Sequence, residues 1–463
     1  RICRMIANKK KLRAFYLTML LFTAGVIGAG QLFAEALPGE VERLGRDLTP
    51  MGAERAGNEA GTIPEWTGGI TQPPSAYRPG SHHPDPFAGE SAQFSINAEN
   101  MQDHRQFLSA GQVAMLTRYP DYRLAVYPSH RTAAYPERIY EKTMANAAHG
   151  KVTENGNAVS HVAEGIPFPL PASGVELMWN HQMRYKGSSS IRHINMMTPT
   201  TGGSYSTVTM TVTTRNLYSE PGATLDSIDN RLLMFTREIV TPPGMAGNVL
   251  LVYDSVNQVR QPRKVWMYNP GQRRVRRAPN VAYDSPSGGT DGMHVSDMTD
   301  MFNGAVDRYQ WTLEGKRELY VPYNAYRVHS DEVSNAELVK PGHLNPDYLR
   351  YELHRVWVVE ARLRSGQRHI NPRRTYYIDE DSYQILMVDH YDSDDELWRY
   401  SEAHPINFYE VPTLWSSTEV HYDLKAGRYA AFRLDPSQPV PPFNTEMDAA
   451  GFTPQALRRR GVR

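Results

Sequence analysis

From Gly203 onward polar and apolar residues alternate. Val208, Met210 and Val212 are interleaved with Thr207, Thr209, Thr211 and Thr213, the period-two pattern of a half-buried strand. The same reading predicts strands over 232–240, 248–256, 263–268, 272–277, 309–313, 355–363, 373–378, 383–390, 419–424 and 428–434. Short turn sequences join many of them, such as Asn269-Pro-Gly271, Asp379-Glu-Asp381 and Lys425-Ala-Gly427. Tight turns connect antiparallel neighbours, and no strand–helix–strand alternation is present, so a dinucleotide-type parallel sheet is excluded. Upstream the period is helical. Met101, His104, Phe107, Leu108, Val113, Met115 and Leu116 predict a helix within 97–119, stopped by Pro120. Tyr135-Pro136 opens a second helix running toward Gly150, and a third surrounds 176–185. A sheet this long must curl, and its apolar face needs a cover. The predicted class is therefore α+β, a large curled antiparallel half-barrel covered by helices and by the segment 295–302.

The N-terminal stretches depart from both periods. Arg1, Arg4, Lys9, Lys10, Lys11 and Arg13 precede an uncharged run from Ala14 to Gly30, which ends at Ala34-Glu-Ala36. That order reads as an export signal cleaved near Ala34 or Ala36, and so predicts a periplasmic location. Seven Pro and seven Gly fall between Thr49 and Gly89, which forbids continuous helix or central strand. Trp66, Ile70, Tyr77 and Phe87 in the same stretch argue for an ordered, extended wrapper. The expected organisation is a signal over 1–36, the wrapper over 37–96 and a helical segment over 97–200. The half-barrel follows over 201–434, then a Pro-rich, finally basic tail over 435–463.

Composition narrows the chemistry. The chain has 463 residues, 50 Lys plus Arg against 50 Asp plus Glu, and one Cys. Forty per cent apolar residues with a mean hydropathy of −0.54 exclude a multi-span membrane protein. Removal of the signal leaves 44 bases against 49 acids and takes away Cys3. Thiol chemistry is then excluded, and a nucleic-acid partner is not expected. There is no nucleophile elbow, P-loop or zincin motif.

Asp291, His294, Asp297 and Asp300 recur at three-residue intervals, which permits a metal site but is more simply a helix start with solvated acids. Asp389, Asp392, Asp394, Asp395 and Glu396 read as a solvated acidic turn. No metal or other cofactor is expected. Arg260, Arg263, Lys264, Arg273, Arg274, Arg276 and Arg277 place seven bases in 18 residues without an acid. Edge protection, an anionic head group or an acidic partner would each explain them. The candidate ligand-binding surface is the strand face carrying Val208, Met210, Val212, Trp266, Tyr268, Trp357, Val359 and Trp398.

Leu48-Thr-Pro-Met-Gly-Ala-Glu-Arg-Ala-Gly57, Gly61-Thr-Ile-Pro-Glu-Trp-Thr-Gly-Gly69 and His83-Pro-Asp-Pro-Phe-Ala-Gly89 resemble the bacterial family called domain of unknown function 1329. Tyr127-Pro-Ser-His-Arg-Thr-Ala-Ala-Tyr135, Gly165-Ile-Pro-Phe-Pro169 and Trp179-Asn-His181 fit the same family. A looser similarity to LolA/LolB-type lipoprotein carriers rests on 266–275, 376–379 and 422–428. It implies a half-barrel that shields acyl chains beneath helices, in a chain about twice the carriers' length. Relatives are often encoded beside a resistance–nodulation–division exporter and an outer-membrane protein, which become candidate partners.

Three readings follow. The first is a non-enzymatic carrier of a hydrophobic, lipid-like ligand, peripheral to membranes at most. The second is a non-catalytic adaptor of an envelope complex. The third is a hydrolase or metal enzyme built on His294, Asp297 and Asp300.

Overall fold

The alternating threonines lie in strand β6 of a fifteen-stranded sheet in a computed structural model that describes residues 38–278 and 283–460. In chain order the strands, of which β3 and β4 form a separate pair, are β1 (Phe94–Ile96), β2 (Leu124–Val126), β3 (Lys151–Thr153), β4 (Ala158–Ser160), β5 (Ser189–Pro199), β6 (Tyr205–Arg215) and β7 (Arg231–Thr241). They continue as β8 (Val249–Ser255), β9 (Lys264–Asn269), β10 (Arg274–Arg277), β11 (Tyr309–Pro322), β12 (Tyr351–Leu363) and β13 (Arg373–Asp379). The last four are β14 (Ile385–Tyr391), β15 (Leu397–Phe408), β16 (Thr413–Asp423) and β17 (Arg428–Leu434). The longer helices are α1 (Ala110–Arg118), α2 (Glu137–Asn146), α3 (Gly174–Met183) and α4 (Pro454–Arg460). The expected signal lies outside the described residues. Among those described, no helix is long and apolar enough to cross a membrane.

The path across the sheet is β12-β13-β14-β15-β16-β17-β5-β6-β7-β8-β9-β10, with β11 paired along β12 and β1-β2 joined at Tyr351. Every pairing is antiparallel except β2 with β12. The sheet is open, as an antiparallel half-barrel requires. Two of the long strands escape the alternation rule, as do the three-residue strands β1 to β4. β5 occupies the end of the stretch expected to be helical, and β15 fills a gap between predicted strands. Both are buried along nearly their whole length, so neither shows the period of two.

Residues directly opposite in a ladder share a face. One face therefore runs continuously through Val359, Tyr376, Val388, Ser401, His421 and Ala430, and across Ile194, Met210 and Ile239. On its β11–β13 side it is covered by α3, where Gly174 lies against Val359. Farther along, the loop 283–303 covers it, tied down by Thr198 donating to the Gly289 carbonyl and by the ion pair of Arg428 with Asp291. The opposite face receives α1 at one end and α4 at the other, where Phe452 and Leu457 are buried.

Residues of the expected wrapper bond to the rest of the chain. Trp66 donates its indole N–H to the Ala133 carbonyl, and Arg131 forks onto Asp381 while also donating to the wrapper carbonyls of Glu54 and Arg55. Asp389 is not part of the solvated turn. It is buried beneath α1, accepting from the N–H groups of Ala110 and Gly111 at that helix's first turn, where the unpaired amides favour a carboxylate. A Cβ on Gly111 would stand 2.0 Å from Cδ2 of Tyr400 and 2.5 Å from Oδ1 of Asp389. Gly111→Ala is therefore expected to destabilise by about 1–3 kcal/mol through overpacking. A thermal melt indistinguishable from wild type would contradict this docking of α1.

Candidate functional site

A cavity of about 310 Å³ opens over strands β5–β9. Its floor is apolar, built from Ile194, Met210, Val212, Leu233, Phe235, Leu250, Val252, Val265 and Met267. The register explains why these side chains meet: Arg192, Val212, Arg237, Leu250, Met267 and Arg276 stand opposite one another in consecutive ladders. The roof is the 283–303 loop, which contributes Pro286, Ser287, His294, Ser296, Thr299 and Asn303. Met267 is 49% exposed at the mouth.

The inner end is charged. Asp300 takes Arg184 at 2.9 Å, Lys186 at 2.7 Å and Arg433 at 3.3 Å, and accepts the Trp415 indole N–H at 2.8 Å. Burial raises the carboxyl's pKa, but the three cations outweigh it and hold Asp300 well below the usual carboxylate range. Burial, reinforced by Arg184, pushes Lys186 down to about 8. Arg433 also meets Glu419 at 3.1 Å. Arg192 lies 4.5 Å over the Trp415 ring and reaches Asp435 only at 3.7 Å. His294 donates to or accepts from Ser287 and is held well below its ordinary pKa by burial, then by His421 and Arg237.

Of the expected ligand-binding residues, Met210 and Val212 line this cavity. Val208 packs beside it, in a buried cluster with Met196 and Phe432. Trp266 and Tyr268 point to the other face. Trp266 packs edge-on to Tyr253, whose hydroxyl bonds the Phe452 carbonyl near α4. The intervening Val265 and Met267 take the cavity positions. Trp357 and Val359 are on the far side of the sheet path, Trp357 under Lys316 at 4.5 Å and Val359 under α3. Trp398 bonds Asp423 and carries Arg399 over its ring.

Among the expected head-group contacts, Arg263 lines the cavity but is paired with Asp254 and Asn303. Lys264 stands opposite Tyr253 on the other face. Arg274, Arg276 and Arg277 are on β10 at the end of the sheet path, with Arg273 in the turn before it. Arg192 and Arg237 were missed. A strand arginine ordinarily reads as solvent-facing, although Arg237 shares parity with Leu233 and Phe235.

The three-residue repeat of acids does not converge. Asp297 pairs with Arg374 and His369, Asp300 with the basin cations, and Asp291 with Arg428. Asp297 and Asp300 are buried counter-ions, neither solvated nor grouped for a metal. A different trio, His354, Asp379 and Asp381, brings ligand atoms within 4.8 Å of one another. Asp381 is held by the Arg131 fork, and Asp379 accepts the Ser382 and Tyr323 hydroxyls. Asp381 and Oδ2 of Asp379 thus serve an internal network, whereas Oδ1 of Asp379 is buried without a hydrogen-bond partner.

The family model described as "Protein of unknown function (DUF1329)" matches residues 95–458. The chain is similar to the uncharacterized protein PA3922 of Pseudomonas aeruginosa, at 42% identity over 454 residues, covering 96% of this chain and 99% of that protein. A structure from Vibrio parahaemolyticus, provisionally described as an outer-membrane lipoprotein-sorting protein domain, aligns with a TM-score of 0.43 at 14% identity, over 62% of this chain and 98% of its own. A DUF1329 family protein from Desulfovibrio piger aligns with a TM-score of 0.42 at 15% identity, over 61% and 97%.

Proposed function

This chain belongs to the DUF1329 family, and from its own geometry we propose that it is a periplasmic carrier that shelters a hydrophobic, lipid-like ligand in the basin over β5–β9. The observation that carries the reading is the open cavity with an apolar strand floor and an exposed Met267 at its mouth. Burial of apolar ligand surface yields roughly 25 cal/mol per Å², or ~0.8 kcal/mol per methylene, enough for a reversible carrier without a covalent step. Concave, mostly apolar sites with a few polar groups are the usual form of small-ligand sites. The basic-then-apolar N-terminal sequence supports export.

A non-catalytic adaptor role is favoured by one feature, the run of Arg274, Arg276 and Arg277 along the last strand of the sheet path. Such an edge could face an acidic partner or membrane surface, the exporter or outer-membrane protein of the sequence reading among them.

The test is native mass spectrometry of the protein purified from a Gram-negative periplasm, followed by lipid extraction. A stoichiometric hydrophobic adduct is expected. A ligand-free mass, together with no uptake of added lipid, would remove the carrier reading and leave the adaptor.

A further inference from the structure

We propose that the basin takes a single-chain amphiphile with an anionic head, carboxylate or phosphate, seated on Arg192 and Arg237 at its inner end. This rests on the carrier reading and specifies the ligand's chemistry. The acids of this end are already taken. Asp300 serves Arg184, Lys186, Arg433 and the Trp415 indole, and Glu419 serves Arg433 and the Ser416 hydroxyl.

The cations are not matched in the same way. The buried Arg192 is 4% exposed, and its Nη1 has no hydrogen-bond partner. Its Nη2 donates to the Ser417 carbonyl at 3.3 Å and stands 3.7 Å from Oδ2 of Asp435, whose Oδ1 lies closer to His329, at 3.1 Å. Arg237 lines the cavity without a carboxylate partner, and only burial perturbs it. An arginine cannot shed its proton to escape this, because its pKa stays far above neutrality. A guanidinium held in a cavity with its carboxylate partner distant, as for Arg192, or absent, as for Arg237, is unfavourable, and a ligand anion would relieve it.

The geometry fits one small head. Arg192 and Arg237 flank Val212 across two ladder spacings, so their Cα atoms are roughly 10 Å apart and both side chains share one face. Two guanidinium groups at that separation can converge on one anion above Val212. From there the floor runs through Leu250 to Met267 at the mouth, the direction a tail would take. A volume of about 310 Å³ is at the small end of ligand clefts, which run from about 300 to 1,000 Å³, and suits one chain rather than several.

The test uses the delipidated full-length-expressed, exported protein with three probes of equal tail, dodecanoate, dodecyl phosphate and dodecanol, titrated calorimetrically. At least one anion is expected to bind about tenfold or more tighter than the alcohol, as a charge-assisted hydrogen bond would give. The better of the two identifies the head as carboxylate or phosphate. Arg237→Gln should bring the anion-to-alcohol ratio to within about twofold, and its unliganded melting temperature should not fall, since the arginine has no partner to lose. Equal binding of all three probes would overturn the anionic head while leaving the carrier standing. Binding of none would remove the carrier reading itself. A preference that survives in both R237Q and R192Q would overturn this seat.

Discussion

Asp300→Ala is expected to lower stability by about 3–5 kcal/mol or more, and to leave much of the protein unfolded at physiological temperature. The residue is the shared counter-ion of Arg184, Lys186 and Arg433, all within 3.3 Å, and the acceptor for Trp415. Arg184 is 1% exposed, so the variant would leave buried guanidinium and ammonium groups uncompensated. Asp300→Asn should lie between the two, because an amide oxygen still accepts from Trp415 but carries no charge. Urea unfolding followed by tryptophan fluorescence reads the effect. A loss below about 1 kcal/mol would mean that the three cations find other partners. Adding Lys186→Met to Asp300→Ala should recover part of the loss, the sign of a coupled pair.

Acidification is expected to be the second large perturbation. His181, His294, His390 and His421 are all held below their ordinary pKa, in each case chiefly by burial and next by a neighbouring positive or partly positive group. His421 is pushed down to about 3. A group whose folded pKa is depressed contributes stability above its unfolded pKa and loses it as pH falls toward the folded one. The unfolded chain then takes up a proton below ~6.5 that the folded chain refuses, worth about 2 kcal/mol per histidine by pH 5.

Carboxyls raised by burial work the other way, among them Asp85, Glu176 and Glu419. Burial raises Asp389 to about 6 and, with Asp381 beside it, raises Asp379 as well. Groups with raised folded values favour the folded state as pH falls through that range. Five buried histidines, His83 included, outweigh the two carboxyls raised above pH 5, so a net loss of stability is expected between pH 7.5 and 5. A melting temperature that is level or rising over that interval would contradict the assignment of neutral buried histidines.

The sequence pattern read the β architecture well wherever one face of a strand is wet. Val208, Met210 and Val212 alternate because the threonines between them are partly exposed. It failed at β5 and β15, whose residues are buried on both faces and include Pro199, Pro405, Glu402 and His404. Polar side chains there are satisfied by partners distant in the chain, as Glu402 is by Tyr351 and Tyr122. No local period can encode that.

At the candidate site the difficulty was parity. Trp266 and Met267 are both apolar, and the larger ring suggested the inward face. The register with Leu250 and Leu251 decides otherwise, because Met267 is opposite a cavity residue and Trp266 is opposite one that is fully buried on the outer face. The covering helix α4, almost two hundred residues away, makes that outer face a second core. Asp297 and Asp300 were legible as a pattern, but the buried cations that explain them come from β13, β17 and the segment after α3.

The strand order also imposes a timetable. The basin's own strands lie between residues 189 and 277, yet the neighbour that joins them to the rest of the sheet is β17, at Arg428–Leu434. A chain delivered N-terminus first must hold an unattached six-stranded edge until some 150 further residues have arrived, although the roof loop follows at once. Long-range pairing of this kind is slow and leaves apolar surface open to misassociation. The hours of greatest danger for this protein are therefore its first moments after synthesis, and whatever meets the basin then, chaperone or cargo, meets it before it has walls.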